Sequence, residues 1–101
     1  MNNNINNLKI KFMKRYIYDS ILESHEAREM AENNKKAFGI EQPEAEAAKE
    51  WFEAVICDGE ASFVQMPNFH QYVCSIDDDW DLYYDYGADY YFAVHNNMEK
   101  E

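Results

Sequence analysis

The sequence predicts an α+β domain, with two N-terminal helices packed on a C-terminal antiparallel β-meander of three to four strands. Three observations point there. Apolar residues recur at helical spacing over residues 13–38, and a second stripe of the same kind follows Pro43. After Gly59 the chain changes to short apolar and aromatic runs. Between those runs stand turn formers: Pro67-Asn68, Asp77-Asp78-Asp79 and Gly87-Ala88-Asp89. Helices first and strands after place the helices on one sheet face.

Five of the first seven residues are asparagine, which predicts a frayed terminus. Leu8, Ile10 and Phe12 alternate with Lys9 and Lys11 in the period of a half-buried strand. The same residues, with Ile5 and Tyr16, also fit the first turn of a helix. Met13 is an alternative start, so residues 1–12 stand apart from a single domain over 13–96, with 97–101 as a tail.

Over 13–38, Ile17, Ile21, Ala27, Ala31 and Phe38 share one helical face, flanked by Leu22 and Met30. The opposite face carries Glu23, Glu26, Glu29, Glu32, Arg28, Lys35 and Lys36. Glu32 and Lys36 form an i,i+4 pair, the lysines suit the helix C-terminus, and Gly39 supplies the stop. Pro43 then suits the first position of a second helix, with Glu44 and Glu46 in its first turn. Ala45, Ala48, Phe52 and Val55 or Ile56 make its apolar stripe, Trp51 lies on the edge, and Asp58-Gly59 ends it. The short linker packs the two helices antiparallel. Strands are predicted at 61–66, 69–76, 82–86 and 90–95, each turning back on the one before it.

A length of 101 residues allows one domain, and 47% hydrophobic with 16% aromatic residues excludes a disordered acidic tail. No apolar run approaches the length of a membrane span or a signal peptide's h-region. Cys57 and Cys74 are too few for a secreted disulfide framework, so reduced thiols and a cytoplasmic location are expected.

The charge is uneven. Residues 1–49 hold eight acids and eight bases, whereas residues 50–101 hold twelve acids and one base, Lys100. The entire net charge of −11 therefore lies in the second half. Such a surface repels nucleic acid and anionic membrane alike, and points to a basic protein partner, a cation or solubility. Asp77, Asp78, Asp79, Asp81, Asp85 and Asp89 are interleaved with Trp80, Tyr83, Tyr84, Tyr86, Tyr90 and Tyr91. On a strand, Asp77, Asp79 and Asp81 would share a face, as would Asp81 and Asp85 around Tyr83, at a repeat of ~6.6 Å. Carboxylates so spaced imitate a phosphate backbone, with aromatic faces where bases would stack. The plainer reading is that Asp marks turns and Tyr fills strands.

Other constellations are weaker. Asp77-x-Asp79-x-Asp81 opens like a calcium loop, but Leu82 and Ala88 occupy the positions that need Gly and Glu. No spacing among His25, His70, His95, Cys57 and Cys74 matches a zinc pattern. His70 and Cys74 would share a strand face, but carboxylates around the thiol oppose its ionisation. The three glycines all stand at turns and make no phosphate loop.

In size, charge and its Asp- and Tyr-rich half, mainly over residues 50–95, the chain resembles the anti-restriction and anti-CRISPR DNA mimics of phages and mobile elements. That group shares no common fold. The resemblance implies a non-enzymatic inhibitor, without cofactor or metal, that fills the cationic groove of a nucleic-acid-binding defence complex. Asp77, Asp78, Asp79, Asp81, Asp85 and Asp89, with Trp80 and Tyr83, are then the expected contact residues. Glu50, Glu53, Asp58 and Glu60 form a second patch. The balanced stretch at 13–38 departs from an all-acidic surface and implies one binding face, or a helix used for homodimerisation. The rival expectations are a divalent-cation module at 77–89 and an acidic adaptor for an unrelated basic protein.

Overall fold

A computed structural model describes residues 14–56 and 61–96. The predicted frayed terminus or strand over residues 1–12 and the tail at 97–101 lie outside the described residues. The described chain runs β1 (Lys14–Glu23), α1 (Ser24–Phe38), α2 (Glu44–Val55), β2 (Ala61–Gln65), β3 (His70–Ser75), β4 (Trp80–Asp85) and β5 (Tyr90–His95). The class is α+β as expected, but among the described residues the sheet has five strands, all antiparallel, in the order β2-β1-β5-β4-β3.

The additional strand is β1, where the helical stripe was expected to begin. Tyr16 and Tyr18 alternate with Arg15, Ile17 and Asp19 across its two faces. Aromatic and β-branched side chains suit a strand paired on both sides, and β2 and β5 supply those pairings. Ile17 and Ile21 thus face away from the helices, and only Ala27 and Ala31 of the predicted stripe are buried on α1. A register shift between Ile17 and Ile21 bends β1. Helix α1 then starts at Ser24, where the Glu26 carboxylate reaches back to accept the Glu23 N–H at 3.3 Å. It ends at Gly39, whose φ of 69° is the left-handed cap predicted there.

The simple meander is also revised. Only β3, β4 and β5 follow one another as hairpins; β1 inserts between β2 and β5, so β2 and β3 occupy opposite edges. Residues 66–69 make the connection, and Met66 packs on the sheet face opposite the helices against Ile17, Phe92 and Val94.

The two sheet faces carry two cores. On one, Tyr18, Leu22, Leu82, Tyr91 and Ala93 pack beneath Ala27, Ala48, Phe52 and Ile56 of the helical layer. On the other, Ile17, Met66, Phe92 and Val94 gather with Tyr83 and Tyr90. Ala27, Ala31, Ala47 and Ala48 are the buried alanines of α1 and α2, and such small side chains let the two helices approach closely.

Candidate acidic interface

Strand β4 separates the predicted acidic residues into two groups. Asp77, Asp78 and Asp79 form the exposed β3–β4 turn, whereas Asp85 and Asp89 frame the β4–β5 turn at the other end of the strand, about 20 Å away. Asp77 and Asp79 lie in the turn, so they do not extend a strand face with Asp81. Asp81, Tyr83 and Asp85 do alternate onto one face, as the period predicts.

The local roles differ. The Asp77 carboxylate accepts the backbone N–H of Asp79 at 2.8 Å and of Trp80 at 2.9 Å, an Asx turn that shapes the hairpin. Asp81 is half-buried and sits 3.3 Å from the Ser75 hydroxyl and 3.5 Å from the Asn96 amide nitrogen. Asp85 is only 6% exposed, and its Oδ1 accepts the N–H groups of Gly87 and Ala88 at 2.9 and 3.0 Å. It is a turn-building group with no surface to offer. Asp89 is exposed, with a left-handed φ of 65°, and accepts the Tyr84 hydroxyl. That bond, with a second from Ser24, holds the Asp89 carboxyl below its ordinary range and pushes the Tyr84 hydroxyl up.

The two rings assigned to a base-like surface are not presented as one. Trp80 packs against the helix-side core, edge-on to Tyr18 and His95 at centroid distances of 6.2 and 4.8 Å. Tyr83 is half-buried on the other face, stacked on Phe92 at 5.8 Å and flanked by Tyr72 and His70.

The second patch fares differently. Glu50 and Glu53 are exposed on α2; Asp58 and Glu60 lie outside the described residues. Val73 and Cys74 of β3 pack against the same core as Ala48 and Phe52 of α2. Burial raises the Cys74 thiol pKa first; Lys49 acts against that, and Glu46, Asp81 and Glu53 add to it. Glu46 and Glu53 of α2 and Asp81 of β4 thus all oppose ionisation of this thiol, and the base Lys49 of α2 favours it. His70 is not a partner of this thiol. The register shift between Tyr72 and Cys74 puts Cys74 against the helix-side core, while the His70 imidazole lies 2.6 Å from the Pro67 carbonyl.

Sequence reasoning missed the tip of the helical hairpin. Phe38 and Ile40 are 71% and 59% exposed there, beside an open hollow of about 350 Å³ also lined by Glu41, Glu46 and Glu50. An apolar residue on each side of a helix-ending glycine usually signals a packed cap, so no pattern marked these two as surface.

Among the described residues, no three His, Cys, Asp or Glu side chains gather into a metal-binding group, and no helix is long and apolar enough to cross a membrane. Strand β4 interrupts the 77–89 segment, so it cannot wrap one ion as a calcium loop does. No protein-family model, curated protein or solved structure matches the chain.

Proposed function

We propose that the chain is a non-enzymatic inhibitor whose acidic flank occupies the cationic nucleic-acid channel of a defence complex. The contact surface is Asp77, Asp78 and Asp79 at the β3–β4 turn together with Glu46, Glu50 and Glu53 of α2. One observation supports the reading: residues 50–101 hold twelve acids against the single base Lys100, and Asp77, Asp78, Asp79, Glu50 and Glu53 of that half are all exposed. An unbalanced charge of this size costs stability through self-repulsion, and a basic partner relieves it. Association is electrostatically steered, fast at low salt and suppressed at high salt. Exposed Phe38 and Ile40, rimmed by Glu41 and Glu50, add an apolar anchor to the same flank. That combination also suits an acidic adaptor for a basic protein unrelated to nucleic acid.

The test is capture of partners by the purified protein from a bacterial lysate at low and high salt, followed by challenge with duplex DNA. The proposal expects a nucleic-acid-binding complex that DNA displaces, and that D78K combined with E53K fails to capture. A partner indifferent to DNA establishes the adaptor in its place. A captured complex that the doubly reversed variant binds equally well overturns the assignment of this surface.

A further inference from the structure

The tip of the helical hairpin lies in the unbroken described stretch 14–56 and is held by its own backbone and polar groups. The Gly39 N–H closes α1 on the Lys35 carbonyl at 2.7 Å, Lys35 holds Glu41 at 3.0 Å, and Asn34 bonds Gln42. This fixed loop nevertheless leaves Phe38 and Ile40 71% and 59% exposed, more than any other large hydrophobic residue described. Both line the open hollow of about 350 Å³, whose wall also carries the exposed carboxylates of Glu41, Glu46 and Glu50. Lys35 answers Glu41, but Glu46 and Glu50 make no hydrogen bond or ion pair among the described residues. Two apolar side chains and two unanswered carboxylates therefore share one hollow.

We infer that this hollow receives a helical segment of a basic partner protein, with two Lys or Arg side chains one turn apart and an apolar side chain in the adjacent turn. The inference rests on the acidic-flank reading and deepens it by naming the part of the partner that docks. Charge complementarity selects the occupant. Glu46 and Glu50 stand at i and i+4 on α2, with Cβ atoms about 5–6 Å apart, which is the spacing of i,i+4 cations on another helix. Phe38 and Ile40 border the same hollow and give the segment's apolar side chain a surface to cover. A second copy of the chain would bring the same three carboxylates to the hollow and be repelled. An anionic bilayer is repelled in the same way. A hollow this open does not enclose a small molecule as a pocket that buries most of its ligand does, whereas a side chain carried on a helix needs no enclosure.

Chemical-shift titration of the isotope-labelled full chain with a capped, alanine-based helical peptide of about 18 residues tests it. The peptide carries lysines one turn apart and leucines in the next turn. Saturable binding with a Kd at or below about 1 mM is expected, with the largest shifts between Asn34 and Glu50. Replacing the leucines by serine, or the lysines by glutamine, is expected to weaken binding about fivefold or more, because the hollow needs both. F38S, and E46Q combined with E50Q, lower affinity likewise, whereas E29Q on α1 leaves it unchanged. The peptide series needs no variant of the protein, so it decides the matter even if a variant fails to fold. Absence of saturation, shifts centred elsewhere, or equal binding of the serine peptide each overturns the inference. Capture of a DNA-displaceable complex from lysate together with failure of the peptide overturns the helical segment and leaves the acidic-flank reading standing. Binding of the peptide together with capture of a partner indifferent to DNA keeps the docking site and removes the defence-complex reading.

Discussion

The Tyr91 hydroxyl, on the helix-facing side of β5, donates to Oε1 of Glu44 in the first turn of α2 at 3.2 Å, and the other oxygen of Glu44 lies 3.6 Å from the Arg28 guanidinium. One carboxylate thus ties the sheet, α2 and α1 together. Burial first, and Glu44 second, push the Tyr91 hydroxyl above its ordinary pKa. A raised pKa favours the protonated fold, so this contribution is complete below the unfolded value near 10 and is lost as pH rises through the folded one. The slope of that loss for this one group is at most ~1.4 kcal/mol per pH unit. Y91F is expected to cost ~1 kcal/mol at pH 7 through the missing hydrogen bond, and to flatten the alkaline decline. Urea denaturation at pH 7 and above pH 10 measures both; an unchanged alkaline slope refutes the assignment.

Asp85 serves the fold. Its Oδ1 holds the Gly87 and Ala88 N–H groups together, and the residue is almost fully buried. D85A leaves those donors without their acceptor and is expected to cost roughly 1–3 kcal/mol in urea melts. D85N keeps the acceptor oxygen and recovers most of the loss. Neither variant should alter the affinity of a captured partner under conditions where the protein is folded, which separates this aspartate from its exposed neighbours.

Asp77 and Asp78 are adjacent but respond differently. D77A removes the acceptor for two backbone N–H groups and is expected to lower stability by ~1 kcal/mol, while D77N restores it. Asp78 is exposed in the turn, so D78K leaves the melting temperature within about a degree and shows its effect in partner binding, more at low salt than at high. Thermal melts alongside binding isotherms at two salt concentrations check the pair.

The class of fold, the helix stop at Gly39, the turns at 77–79 and 87–89, and four of the strands follow from patterns that are local in sequence. Strand β1 does not. Ile17, Ile21, Ala27 and Ala31 sit at helical spacing, yet the first two belong to a strand and the last two to a helix. The deciding interaction is pairing with β2 and β5, which lie more than forty residues further along the chain. The same nonlocality hid the topology, because a turn at Pro67-Asn68 reads alike whether it joins neighbours or carries the chain across a sheet face. For the acidic flank, the excess of charge was readable but its partition was not. Periodicity placed Asp81 and Asp85 on one face, yet burial of Asp85 depends on how the β4–β5 turn closes. Trp80 likewise became core through its packing beneath the helical layer.

Phe38 and Ile40 provide the sharpest separation of stability from recognition. Both are large, apolar and mostly exposed, and the loop between the helices is held by other groups: the Gly39 N–H on the Lys35 carbonyl at 2.7 Å, Lys35 on Glu41 at 3.0 Å, and Asn34 on Gln42. Replacing either side chain with serine removes little buried surface, so F38S and I40S are expected to change stability by no more than ~0.5 kcal/mol. If the hairpin tip anchors a partner, the same substitutions weaken binding by about tenfold or more, ~1.4 kcal/mol each, as truncating an interface anchor does. Titration calorimetry with the captured partner and urea melts of the free protein measure the two quantities separately. Stability lost in step with affinity would return both residues to the fold, and unchanged affinity would confine the interface to the exposed carboxylates.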